Sequence, residues 1–166
     1  SSLVLCHLEY ASASWYCSLS KNLKTKLQII QNKCVRYIRN TGPRSHIGYT
    51  ELQYLNWLNV EYRQKQLRLN LMYKIYNGHA PSYLLNNFVR LNTVHSYNTR
   101  RSSYGFYMPN VNSILSECFF INSIKDWNSL PGHIQCTQSQ QTFKNSVKHF
   151  LCNEAKNDEQ SIYSFY

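Results

Sequence analysis

Residues 21–40, KNLKTKLQIIQNKCVRYIRN, carry six Lys or Arg and no Asp or Glu. At 100° per residue, Leu23, Leu27, Ile30, Cys34, Tyr37 and Ile38 fall within one arc of about 100°. That period fits an amphipathic helix and excludes a strand. Ser20 stands where a helix cap belongs, and Thr41-Gly42-Pro43 stops the pattern. On the same wheel Lys21, Lys24, Arg36 and Arg39 lie opposite the apolar arc, with Lys26 and Lys33 on its flank. From Lys21 to Arg39 the axial rise is about 27 Å, enough to follow several phosphates of a duplex.

A solvated helix face normally mixes signs and uses Glu–Lys pairs four residues apart. Lys and Arg can also serve simply as helix-forming surface residues with solvated stems. Like charges without relief repel, so an anionic partner explains the pattern better. The net charge of +10 is also uneven: residues 1–90 hold +9, residues 91–152 hold +3 and residues 153–166 hold −2. With a pI near 9.4, nucleic acid ranks ahead of an anionic membrane as the partner. Arg63, Lys65, Arg68 and Lys74 form a second, weaker basic set, offset in part by Glu61. Arg100 and Arg101 stand among Tyr97, Tyr104 and Tyr107. Charge beside stacking rings suits single-stranded or looped nucleic acid, and it suits an aromatic loop packed on the core equally well.

The rest of the chain reads as mainly α, a small bundle of six or seven helices. Leu5, Leu8, Ala11 and Trp15 make a helical stripe over residues 2–17. Thr50 with Gln53 reads as a capping box for a short helix. Residues 59–78 read as a long helix with Val60, Leu67, Leu71 and Ile75 buried, Met72 and Tyr76 beside them, and Gly78 past its end. Pro81 opens another short helix. From about 90 to 116 the period breaks, leaving an irregular segment with room for a short hairpin. Ser116 is placed to cap a helix in which Phe120, Ile124 and Trp127 share a face, and Pro131-Gly132 ends it. Ser139 caps a last helix with Phe143, Val147, Phe150 and Leu151 inward, and beyond Cys152 no period survives, so a frayed or disordered tail is expected.

Catalytic patterns are missing. The eight acidic residues are scattered, without the pairing that two-metal or acid–base chemistry needs. No nucleophile elbow, phosphate-binding loop or dinucleotide fingerprint occurs. The six Cys and six His lack metal-ligand spacing, and the cysteines read as reduced core residues. Cys6 and His7 are adjacent, which on a helix points them about 100° apart, so a nucleophile pair is not expected. No apolar run approaches the roughly 20 residues of a membrane span. The start lacks both Met and a signal-peptide n-region and reads as cut from a longer chain.

One resemblance runs through most of the chain. SLVLCHLEYASASW, residues 2–15, resembles the segment that follows the polymerase core in LINE-type (non-LTR, jockey-like) retrotransposon reverse transcriptases. Ser2, Leu3, Val4, His7, Leu8, Glu9, Tyr10, Ala11 and Trp15 match that pattern, and Cys6 replaces its usual Pro. KLQIIQNKCVRYI at 26–38 is similar to the family's next basic helix, and residues 49–78 are similar to its Leu- and Arg-containing segment, with Gln64 where a second Arg is common. Arg100, Phe119, Phe120, Trp127, Asn128, Leu130, Pro131, Phe143 and Lys144 resemble the family's closing block. In Trp-Asn-x-Leu-Pro the indole would enter the core while Asn and Pro stop the turn.

The resemblance implies a thumb and its C-terminal extension: 1–50 thumb-like helices with a basic face, 51–90 a helical continuation, 91–152 the extension and 153–166 a tail. It implies a non-catalytic fragment that grips an RNA/DNA template–primer through phosphates, at Lys21, Lys24, Lys26, Lys33, Arg36, Arg39, Arg100 and Arg101. The catalytic carboxylates and their Mg would lie in the palm region outside this segment, so no cofactor is expected in this chain and it should be inactive alone. Its partners would be nucleic acid and the polymerase core of the parent protein, with no membrane and no small-molecule substrate, inside the cell and in the nucleus. The alternative is a helical protein–protein interaction module, a co-opted or degenerate transposon fragment, burying residues 97–107 against a partner.

Overall fold

A computed structural model describes residues 2–94, 104–112 and 115–163. Among these the chain is mainly helical: α1 Ser2–Glu9, α2 Ser12–Trp15, α3 Lys21–Arg39, α4 Tyr49–Tyr54, α5 Val60–Tyr76, α6 Ser82–Leu85, α7 Leu91–Val94, a 3₁₀ turn Leu115–Glu117, α8 Phe119–Ser129, α9 Gly132–Gln135 and α10 Gln140–Tyr163. The helices beyond the expected ones, α2, α7 and α9, are single turns of four residues. No helix among the described residues is long and apolar enough to cross a membrane.

The bundle is organised around α5, which packs against α10, α8, α2 and α3. It has no solvent-facing stripe of ordinary width: Val60, Gln64, Gln66, Arg68, Leu69, Met72, Tyr73 and Ile75 are all buried. Leu67 and Leu71, expected inside, are only half-buried. A helix surrounded by neighbours loses the amphipathic signature from which the inward face would be read.

On one side of α5 the core is aromatic. Tyr73 stacks on Phe143 with ring centroids 4.3 Å apart, and Tyr76 stacks on Trp127 at 5.3 Å. Polar tips are satisfied as burial requires. Tyr73 donates to the carbonyls of Thr137 and Gln138 at 2.9 and 2.6 Å, and Trp127 Nε1 donates to Tyr104 O at 2.9 Å. Asn128, expected to stop a turn, instead clamps Phe106: its Oδ1 accepts from Phe106 N at 3.0 Å and its Nδ2 donates to Phe106 O at 2.7 Å. Phe106, paired with Arg90 in an isolated antiparallel bridge, is thereby pinned in the core. That bridge is what the described residues hold of the expected hairpin.

Several local expectations are corrected. The first helical stripe is broken at Ala11, whose left-handed φ of 48° separates α1 from α2 and turns Ser12, Tyr16 and Cys17 inward. α4 is capped at Gly48, not Thr50: the Glu51 carboxylate accepts from Gly48 N at 3.0 Å, and this bond holds the Glu51 pKa below its ordinary value. α8 starts after Cys118, because Ser116 is occupied by the 3₁₀ turn. Of the cysteines only Cys17 is fully buried, while Cys6 and Cys136 are exposed.

The tail is the largest correction. Beyond Cys152 the chain continues α10 as far as Tyr163. Glu154 pairs with Lys65 at 2.8 Å, Asp158 accepts from the Tyr62 hydroxyl, and Glu159 accepts from Tyr49 N at 3.0 Å. Those acidic residues looked like a solvated end in sequence because their partners lie about a hundred residues earlier.

Candidate nucleic-acid interface

α3 is held by side-chain amides. Gln28 Oε1 accepts from Val60 N at 2.9 Å, and Gln31 Nε2 donates to Leu58 O at 2.9 Å. Gln28 Nε2 also bonds Gln31 Oε1 and Asn32 Oδ1 at 2.9 and 2.8 Å. The reason lies in what α3 packs against: Val60 N, in the first turn of α5, has no partner inside its own helix, and Leu58 O lies just before that helix. An unpartnered buried N–H or C=O costs about 1–3 kcal/mol, comparable to the about 1.5–3 kcal/mol gained by burying one Leu or Ile. In the structure the amides hold the inward position, and α3 buries Gln31 and Val35.

This rotates the helix away from the expected orientation. The inward face, Lys24–Gln28–Gln31–Val35, lies about 100° round from the arc of Leu23, Leu27, Ile30, Cys34, Tyr37 and Ile38. Leu23, Ile30, Tyr37 and Ile38 are consequently exposed, and Leu27 and Cys34 half-buried. The direction pointing farthest from the bundle is taken by Lys33 and Lys26.

The predicted cations now separate into groups. Lys26 and Lys33 are exposed on the outer face. Arg39 is exposed with its guanidinium 4.3 Å from the centroid of the Tyr54 ring, a cation–π contact at the surface. Arg36 is half-buried, and its Nε donates to Ser45 O at 2.9 Å, folding the loop after α3 back onto the helix. Lys24 is not on the outer ridge: its Nζ donates to Cys17 O at 3.3 Å and sits 5.4 Å from the Tyr16 ring centroid. Lys21 is exposed at the start of α3. Arg100 and Arg101 lie outside the described residues.

Lys21 and Lys24 line a cleft of about 980 Å³ that also takes Glu61, Glu117, Asp158 and Glu159 from other elements. Burial and then Glu61 push the Tyr16 hydroxyl in its wall up to about 12. Signs are therefore mixed at the N-terminal end of α3. At the C-terminal end cations predominate, with Glu51 the carboxylate that Arg39 acts on. Arg44, exposed in the loop beyond Asn40, extends the positive run, and Tyr37 and Tyr54 flank it, 89 % and 76 % exposed. Arg44 escaped the sequence reading because it follows the helix-stopping Pro43, although its charge continues the same one-signed stretch.

The second basic set is committed internally. Arg63 grips Glu9 through two bonds of 2.7 and 2.8 Å, Lys65 holds Glu154, and Arg68 holds Asp126 at 2.6 Å in a nearly buried pair. Burial pushes the Asp126 carboxyl up, and Arg68 opposes it. None of the three salt bridges of the described residues uses a cation of α3. Arg39 influences Glu51 only weakly, as the last of the factors holding that carboxyl down. Phe106, part of the segment considered for a protein partner, is buried in the core. Among the described residues no group of three or more His, Cys, Asp or Glu is placed to hold a metal ion.

Comparison of the chain with protein-family models, curated proteins and solved structures gives no match.

Proposed function

We propose that this chain is a non-catalytic nucleic-acid grip that holds a template–primer duplex of RNA or DNA by its phosphate backbone. The observation that carries the reading is the division of charge. Six of the carboxylates are bound to groups off α3: Glu9, Asp126 and Glu154 to α5 cations, Glu51 to Gly48, Asp158 to Tyr62 and Glu159 to Tyr49. Lys26, Lys33, Arg39 and Arg44 are exposed on α3 and the loop after it, and none joins a salt bridge of the described residues. Exposed cations of this kind neutralise phosphates and release their counterions, which favours binding without regard to base sequence. Shape and phosphate are also the features by which a hybrid A-form duplex is held.

The resemblance to LINE-type reverse transcriptases supplies the setting: thumb and C-terminal extension of an RNA-directed DNA polymerase acting in the nucleus, with Mg and the catalytic carboxylates in the polymerase core. The test is a gel-shift titration of a labelled RNA–DNA hybrid against the wild-type chain and the Lys33→Glu/Arg39→Glu variant. Loss of the shift, with helical content retained by circular dichroism, is the expected result. An unchanged titration overturns the reading.

A further inference from the structure

We infer that the exposed apolar flank of α3 docks an acidic amphipathic helix of a partner protein. Leu23, Leu27, Ile30, Cys34 and Tyr37 recur at alternating intervals of four and three residues, the spacing of the inner positions of a coiled coil. In α3 this strip is only partly covered: Leu27 and Cys34 are half-buried, while Ile30 is 43 % and Leu23 46 % exposed, with Ile38 beside them at 48 %. From Leu23 to Tyr37 it runs about 21 Å, two heptads on a helix already formed and anchored by Gln28 and Gln31.

The edges of the strip decide the occupant. One edge, Lys24 and Gln31, is turned onto the chain itself through the contacts to Cys17 and Leu58. The open edge carries Lys26 and Lys33 at the positions where charges select a coiled-coil partner. A helix fitting here presents apolar side chains to the strip and Glu or Asp to those lysines. A second copy of this chain would oppose Lys26 and Lys33 to its own lysines or to its closed edge, so self-pairing is disfavoured.

The docking surface shares Lys26 and Lys33 with the proposed phosphate contacts but stands on the apolar strip, so its test uses synthetic peptides and a variant in that strip. Two fluorescein-labelled 21-residue helices carry Leu at the inner positions and either Glu or Lys at both flanking positions. Fluorescence anisotropy with the full chain should show the Glu-edged peptide binding at least tenfold tighter than the Lys-edged one. Ile30→Glu, an exposed site whose melting curve should be unaltered, should abolish that binding, and Lys26→Glu/Lys33→Glu should reverse the preference. Equal affinity for the two peptides, binding of neither, or binding that survives Ile30→Glu overturns the inference. So does an Ile30-dependent dimer in sedimentation equilibrium, which assigns the strip to a second copy. Ile30-dependent flotation with phosphatidylserine vesicles overturns it in favour of a membrane.

Discussion

Neutralising Lys33 and Arg39 with Gln tests the charge argument quantitatively. On α3 and the loop after it, the exposed cations outside the mixed-sign cleft are Lys26, Lys33, Arg39 and Arg44, and one phosphate for each gives about four contacts. Counterion release then gives log Kobs against log salt a slope of about −3.6 on duplex DNA, and a loss of about 150-fold between 50 and 200 mM KCl. Each contact is worth about 0.9 log unit at 0.1 M salt, so Lys33→Gln/Arg39→Gln should weaken binding about sixtyfold and flatten the slope to about −1.8. The assay is fluorescence anisotropy of a 20-base-pair duplex over a KCl series, repeated with an RNA–DNA hybrid. Lys65→Gln is the control: Lys65 is bound to Glu154, so affinity and slope should stay at wild-type values while stability falls by less than about 1 kcal/mol. A wild-type slope shallower than about −1, or a slope that the double variant leaves unchanged, refutes the assignment of these cations to phosphates.

Other consequences concern the fold. Arg68→Met leaves Asp126 charged and nearly buried and should cost about 3–5 kcal/mol in urea unfolding, whereas Arg68→Met/Asp126→Leu should recover much of that loss. Phe143→Ala removes a fully buried ring that stacks on Tyr73 and should cost about 3–5 kcal/mol by the same measurement. A Cβ at Gly48 would meet the Glu159 carboxylate, so Gly48→Ala should displace Glu159 from Tyr49 N and cost about 1 kcal/mol, read as faster hydrogen exchange at Tyr49. The Glu51 pKa is depressed chiefly by the Gly48 N–H bond, so its contribution is fully present above the ordinary carboxylate pKa and is lost as pH falls through the lower folded value. In an NMR titration the Gly48 amide should follow that midpoint, and Glu51→Gln should remove the dependence.

The sequence alone determined the mainly α character, the limits of α3 and α5 and the inward Trp127, Phe143, Val147 and Leu151. These follow from spacing along one segment, which any helix must obey. The one-signed charge of α3 was legible for the same reason. Tertiary structure decided the direction in which that helix faces. Its apolar arc competed with Gln28 and Gln31 for the bundle, and the unsatisfied backbone groups at the start of α5 selected the glutamines. The same dependence on distant partners turned Arg63, Lys65 and Arg68 from candidate phosphate contacts into ion-pair members, and made an expected tail into the last turns of α10. Periodicity records which side chains share a face, but which face is buried depends on the polar groups of the neighbour it meets, and those lie elsewhere in the chain.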